Sequence, residues 1–261
     1  MRVLFLGDVV GKPGRRAVCA AVPRIVDRER VDLVIANCEN VSGGAGVDTQ
    51  SVSALLGAGV HVLTSGNHVW RNRETADLIV GESRLLRPAN FPPAAPGRGW
   101  IAVETAAGTP VAVINLIGRV FMDSVDCPFR TAEALVAELT ARTRSIIVDM
   151  HAEATSEKAA MGWFLAGKVS AVLGSHTHVQ TADERLLPGG TAYITDVGMC
   201  GPIESVIGVK REQVIQRFVT RMPVKFDVAS GPVLVQGALV DVDAESGRAR
   251  RIQRVRETVD A

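Results

Sequence analysis

Short, wholly apolar runs recur along this chain, and nearly every one ends in a polar residue or a glycine. RVLFLG (2–7), VDLVIAN (31–37), VHVLT (60–64), SIIV (145–148) and the run from Val169 to Leu173 read as strands. They show no inside–outside alternation, as expected of strands buried on both faces. Trp100–Thr105 and Val111–Leu116 read as two more strands around an Ala107-Gly108 turn, and Thr191–Thr195 as another. Between them, helical spacing predicts a helix from about Pro13, kinked or broken at Pro23, and a short one capped by Asp48 or Thr49. Further helices are expected over Arg73–Val80, from a Thr131 cap to about Arg142, over Ser156–Ala166, and over Lys210–Arg221. Pro232–Asp241 and Ala249–Arg256 alternate around AESG, which predicts an antiparallel hairpin. Strands alternating with helices define an α/β protein. With no linker or repeat, the expectation is one domain over residues 1–261.

Composition narrows the class. Hydrophobic residues make up 47% but aromatics only 4%, which suits aliphatic buried strands better than a β-sandwich. A net charge of +1 gives no support for tracking extended nucleic acid. Cys19, Cys38, Cys127 and Cys200 form no Cys-x-x-Cys pair, so a reduced, cytoplasmic protein is expected. Val3–Leu6 is too short for a signal peptide, and no run approaches the roughly 20 apolar residues of a membrane span. The SGGAG loop after Asn40 is glycine-rich but lacks the spacing of a P-loop or a dinucleotide fingerprint.

The polar residues that end the strands are the candidate chemistry. Asp8, Glu39 with Asn40, Asn67 with His68, His151, and His176 with His178 each follow an apolar run. In an α/β sheet such strand ends meet at one edge, so residues far apart in sequence converge. Singly, an Asp or Asn there is by default a turn or cap residue, and a lone His a satisfied buried one. Jointly they form a set of oxygen and nitrogen donors without thiolate, which suits Mn, Fe or Zn and is large enough for two ions about 3.5–4 Å apart. His61, inside its strand, is expected to be merely packed. Asp149, Glu153, Asp196 and Glu204 are expected to be structural or to support ligands. The loop Arg119–Arg130, with Phe121, Met122 and Phe129, is placed to line or lid a pocket.

The motifs G7-D8, G66-N67-H68, H151 and G174-S175-H176-T177-H178 resemble the signature of the calcineurin-like metallophosphoesterases. The departures are consistent with one subfamily. Asp-x-His has become Asp8-Val9-Val10, the Gly-Asp block has become Asn37-Cys38-Glu39-Asn40, and the last motif carries an extra serine. With GDVVGKPGR, NCENVSGG, TSGNHVW, DMHAEATSEK, GTAYITDVGMCGP and SVIG, the chain resembles the YmdB-like bacterial phosphodiesterases, associated with 2′,3′-cyclic nucleotides.

The resemblance implies a four-layer α/β/β/α sandwich holding two transition-metal ions, Fe first with Mn or Zn as alternatives. Asp8, Glu39, Asn40 and His178 would hold one ion, and Glu39, Asn67, His151 and His176 the other, with Glu39 as the bridge. Asn40 would replace the ligand that Val10 cannot supply. His68 would be the general acid for a small-molecule phosphodiester attacked by a bridging hydroxide. A homo-oligomer without membrane association is the expected assembly. The alternatives are a nucleotide- or RNA-end-binding scaffold, and a phosphomonoesterase or nuclease.

Overall fold

The computed structural model describes residues 1–259 and contains two β-sheets packed face to face between helices. In the first sheet β1 (Arg2–Leu6), β3 (Leu33–Asn37) and β4 (Val62–Thr64) run parallel. β1 also pairs antiparallel with the long β12 (Val233–Val242), whose other edge carries β13 (Ala249–Val259). The far end of β12 pairs with β11 (Met199–Pro202), which takes on the two-residue β2 (Asp8–Val9). In the second sheet the central strands β6 (Pro110–Ile117), β7 (Ser145–His151), β8 (Ala171–Ser175) and β10 (Thr191–Ile194) are parallel. β5 (Trp100–Glu104) and β9 (Arg185–Leu187) close its edges antiparallel, giving the order β5-β6-β7-β8-β10-β9.

The continuous apolar character of the strands follows from this layering, because each central strand is buried on both faces. Val3, Phe5, Leu33 and Ile35 meet Val113, Ile147 and Leu173 between the sheets. The alternate residues Leu4, Leu6, Val34 and Ala36 turn the other way onto α1 (Gly11–Glu29). On that helix Gly14, Ala17, Val18, Ala21, Val22 and Ile25 fall on one stripe at helical spacing. Ile114, Ile146, Val148 and Val172 likewise pack against α4 (Pro128–Leu139) and α5 (Thr155–Phe164). The result is the α/β/β/α sandwich of the metallophosphoesterases. No helix among the described residues is long and apolar enough to cross a membrane.

Several elements differ from the sequence expectation. α1 runs through Pro23 without a break: Pro23 lies on the exposed side, while Ala21, Val22 and Ile25 around it are buried. Thr131 is not a cap: α4 begins at Pro128, with proline in the first turn after Cys127. Asp48 does cap α2 (Thr49–Gly57), accepting the Ser51 amide at 2.7 Å. The helix expected around Arg73–Val80 is present as α3 (Thr75–Gly81), and an unforeseen 3-10 turn at Val69–Arg71 precedes it. His61 precedes β4 and is exposed, its Nδ1 accepting the Val34 amide at 2.9 Å. The short strands β2, β9 and β11 were invisible to periodicity, which needs longer runs.

Candidate metal centre

β1, β3 and β4 of one sheet and β7 and β8 of the other end at a common edge, where the polar residues that follow them meet. His151 Nε2 lies 3.0 Å from His176 Nδ1, 3.1 Å from Asn67 Oδ1 and 3.3 Å from Glu39 Oε2. Donor atoms about 2.0–2.2 Å from one ion sit roughly 2.9–3.4 Å from one another, so these four atoms outline one coordination shell. Glu39, His151 and His176 each bring one ligand atom within 4.8 Å of the others. On the other side of Glu39, Oε1 lies 3.2 Å from Asn40 Nδ2, which is 3.1 Å from His178 Nε2. Asp8 Oδ1 stands 3.7 Å from that same His178 nitrogen. Glu39 thus gives one oxygen to each half.

Two observations fit this set to cations. Asp8 is fully buried, and its Oδ1 has no hydrogen-bond partner among the described residues, although a buried carboxylate oxygen without one is costly. Charge tells the same story. Burial by itself would lower the His151 pKa, but Glu39, Asp8 and Asp149 raise it to about 9. The carboxylates therefore call for positive charge at this point. Burial would push Glu39 upward, yet His151 and His68 hold it well below the usual carboxylate range. Burial, with His151 beside it, lowers His176 to about 3, which leaves its imidazole free to donate a lone pair.

The loop after β8 is built to aim its two imidazoles. His176 and His178 both adopt left-handed backbone, φ 96° and 65°, which costs a non-glycine residue about 1–3 kcal/mol. Asp8 Oδ2 accepts the His176 amide at 3.1 Å. Between them Thr177 donates its amide and hydroxyl to Asp196 Oδ2, at 3.0 and 2.6 Å. Asp196 is itself buried in an ion pair with Lys158 at 2.8 Å. Glu153 lies 3.2 Å from His176 Nε2 and directs Nδ1 inward, whereas the Ile207 carbonyl, 2.9 Å from His178 Nδ1, directs Nε2 inward. Behind His151, Nδ1 meets the Ser175 hydroxyl at 3.0 Å, and that hydroxyl donates to Asp149 at 2.6 Å. Burial raises Asp149 to about 6.

All eight residues singled out in the sequence come together here. Asn40 presents Nδ2 to the site and keeps Oδ1 2.7 Å from His68 Nδ1, so an ion held through its oxygen requires the amide to turn over. His68 is half-buried, its Nδ1 also 3.2 Å from Glu39 Oε1, and its ring lines a cavity of about 600 Å³. The expected supporting roles hold for Asp149, Glu153 and Asp196. Glu204 instead pairs with Arg211 at 3.6 Å, both side chains more than half exposed. The Arg119–Arg130 loop contributes nothing to the cavity wall, and Phe121 at its tip is exposed. Sequence reasoning missed Asn37, Lys158 and Ile207. Asn37 ends a strand as the ligands do, which is a usable signal; a backbone carbonyl such as that of Ile207 leaves no trace in the sequence.

A sandwich of this order with such a cluster at its strand ends is a metallophosphoesterase-type protein. The profile of the family described as "YmdB-like protein" matches residues 4–255, and the chain belongs to that family. A Bacillus subtilis protein named 2′,3′-cyclic-nucleotide 2′-phosphodiesterase is 48% identical over 255 residues, covering 98% of this chain and 96% of its own. A crystal structure of a hypothetical protein from Thermus thermophilus superposes with a TM-score of 0.93 at 42% identity, over 99% of both chains. A Mycoplasma pneumoniae structure described as a novel phosphatase also reaches 0.93, at 34% identity, over 100% of this chain and 94% of that one.

Proposed function

We propose that this chain, acting as one domain, hydrolyses small phosphodiesters, above all 2′,3′-cyclic nucleotides, with two transition-metal ions. The observation that carries this reading is the division of the Glu39 carboxylate between two donor sets. Asp8, Glu39, Asn40 and His178 would hold one ion, and Glu39, Asn67, His151 and His176 the other. The donor chemistry suits Fe, with Mn or Zn as alternatives. Bound there, the ions would supply a water nucleophile at neutral pH and positive charge for the phosphate oxygens. The name and 48% identity of the Bacillus relative support the substrate class. The free thiols of Cys19, Cys38, Cys127 and Cys200 support a reducing compartment, the cytoplasm.

Attack at phosphorus breaks the bond to the ribose 2′ oxygen, which must leave with a proton. His68 is the group to deliver it. Its Nδ1 is engaged by the Glu39 carboxylate, a contact that turning the Asn40 amide does not remove, and this leaves Nε2 for the substrate in the cavity. A Glu39 carboxylate at 3.2 Å supports the imidazolium against the charge of nearby cations. His68→Ala is expected to keep its metal content and slow opening of a 2′,3′-cyclic nucleotide by about 10²-fold. An activated aryl phosphodiester should lose less, because its leaving group needs no proton. Steady-state rates on the two esters check this; an unchanged rate on the cyclic nucleotide removes His68 from the mechanism. A binding scaffold would need no acid at this position.

A further inference from the structure

The metal donors make up only part of the cavity lining. Much of the rest is apolar, from Val206, Ile207, Val214, Phe218, Phe226 and Val228, with Arg217 and Asp227 among them. At about 600 Å³ the space falls in the range of small-molecule sites and is far larger than a phosphate group requires. Val214, Arg217 and Phe218 lie at i, i+3 and i+4 of α6 (Arg211–Thr220), so one face of that helix forms the wall.

Resting on the phosphodiesterase reading, we propose that this wall is the nucleobase subsite, with the Phe218 ring as the surface on which the base stacks. Phe218 is 74% exposed, and among the described residues no aromatic ring pairs with it. Phe226 differs: the Arg217 guanidinium sits 5.3 Å from its centroid and covers one face. An uncovered ring beside a phosphate-handling centre offers what any base can use, since every base has a π-face. The wall is also fixed relative to the centre. Lys210 donates its amide to the Asp227 carbonyl at 3.0 Å and Ala229 to the Gly208 carbonyl at 2.9 Å, closing the base of the α6 excursion. From that base the Ile207 carbonyl reaches His178 at 2.9 Å, so base and phosphate are held in register by one short segment. The SGGAG loop completes the rim: Gly43, Gly44 and Ala45 line the same cavity, and a Cβ on Gly44 would come within 2.9 Å of Val228.

The test uses the full, metal-loaded chain and its Phe218→Ala variant on two five-membered cyclic phosphodiesters. One is adenosine 2′,3′-cyclic phosphate; the other is glycerol 1,2-cyclic phosphate, which has no base. The ratio of kcat/KM for the nucleotide over the glycerol ester should fall about tenfold in Phe218→Ala, through KM for the nucleotide. Adenosine, which lacks a phosphate, should bind the wild type in a calorimetric titration and bind the variant about tenfold more weakly. Equal losses on both esters, or no loss on either, overturn the subsite. So does a variant with changed sedimentation but intact adenosine binding, which would make Phe218 a contact between copies. A wild type that binds adenosine through Phe218 yet opens neither ring keeps the subsite and overturns the phosphodiesterase reading instead.

Discussion

Glu39→Gln is expected to empty both halves of the site together and to lower phosphodiesterase activity by more than about 10²-fold. Glutamine has nearly the same size and leaves one carbonyl oxygen, so any large effect must come from charge and from the donor it introduces. The carboxylate is fully buried, with Oε2 3.3 Å from His151 Nε2 and Oε1 3.2 Å from Asn40 Nδ2. Two closely spaced cations need an anion between them, and an amide cannot neutralise either. It would also turn N–H groups toward donor atoms on one side. Asp8→Asn provides the contrast: Asp8 Oδ1 lies 3.7 Å from His178 Nε2 and 3.9 Å from the rearward Nδ1 of His151, and in the proposed arrangement it serves one ion only. That variant should keep about one ion per chain. Full occupancy and normal rates in Glu39→Gln would mean that Glu39 is not the bridge.

The second large effect is expected from a residue that offers no ligand atom. Gly66 lies against the centre so closely that a Cβ there would fall inside the van der Waals surfaces of His151 Nε2 and Glu39 Oε2. Neither group can yield. His151 is clamped from behind by Ser175 and Asn37, at 3.0 and 3.3 Å from Nδ1, and Glu39 accepts the His68 amide at 3.0 Å. Gly66→Ala should therefore lose metal and at least about 10²-fold in activity, as misplaced coordinating groups do. Its circular dichroism should stay that of the wild type, since the added methyl meets the site and not the core. Normal metal content in a folded Gly66→Ala protein would contradict this geometry.

The ligand residues were legible because they obey a local rule: each follows an apolar strand, and parallel strands carry their ends to one edge. Asp8, Glu39, Asn67, His151, His176 and His178 all satisfy it. What escaped the sequence depends on contacts between distant segments. The Lys158–Asp196 pair that braces Thr177, and the Ile207 carbonyl that orients His178, join residues 38 and 29 positions apart. No periodicity encodes them. β2 and β11 were missed for a related reason, being short strands formed only by pairing with distant segments, Met199 against Asp8 and Gly201 against Leu234. Of the kink or break expected at Pro23, the break does not occur, because packing of Ala21, Val22 and Ile25 outweighs the one hydrogen bond that proline removes. α6 was foreseen as a helix, but nothing local marked the face bearing Phe218 as a wall of the site.

The dinuclear centre stands or falls on how many ions the chain binds. Metal-free protein reconstituted with excess Mn or Fe, freed of unbound metal and assayed by elemental analysis measures this directly. Two ions per chain are expected, one for each side of Glu39. Uptake of no more than one ion by the folded wild-type protein would contradict it.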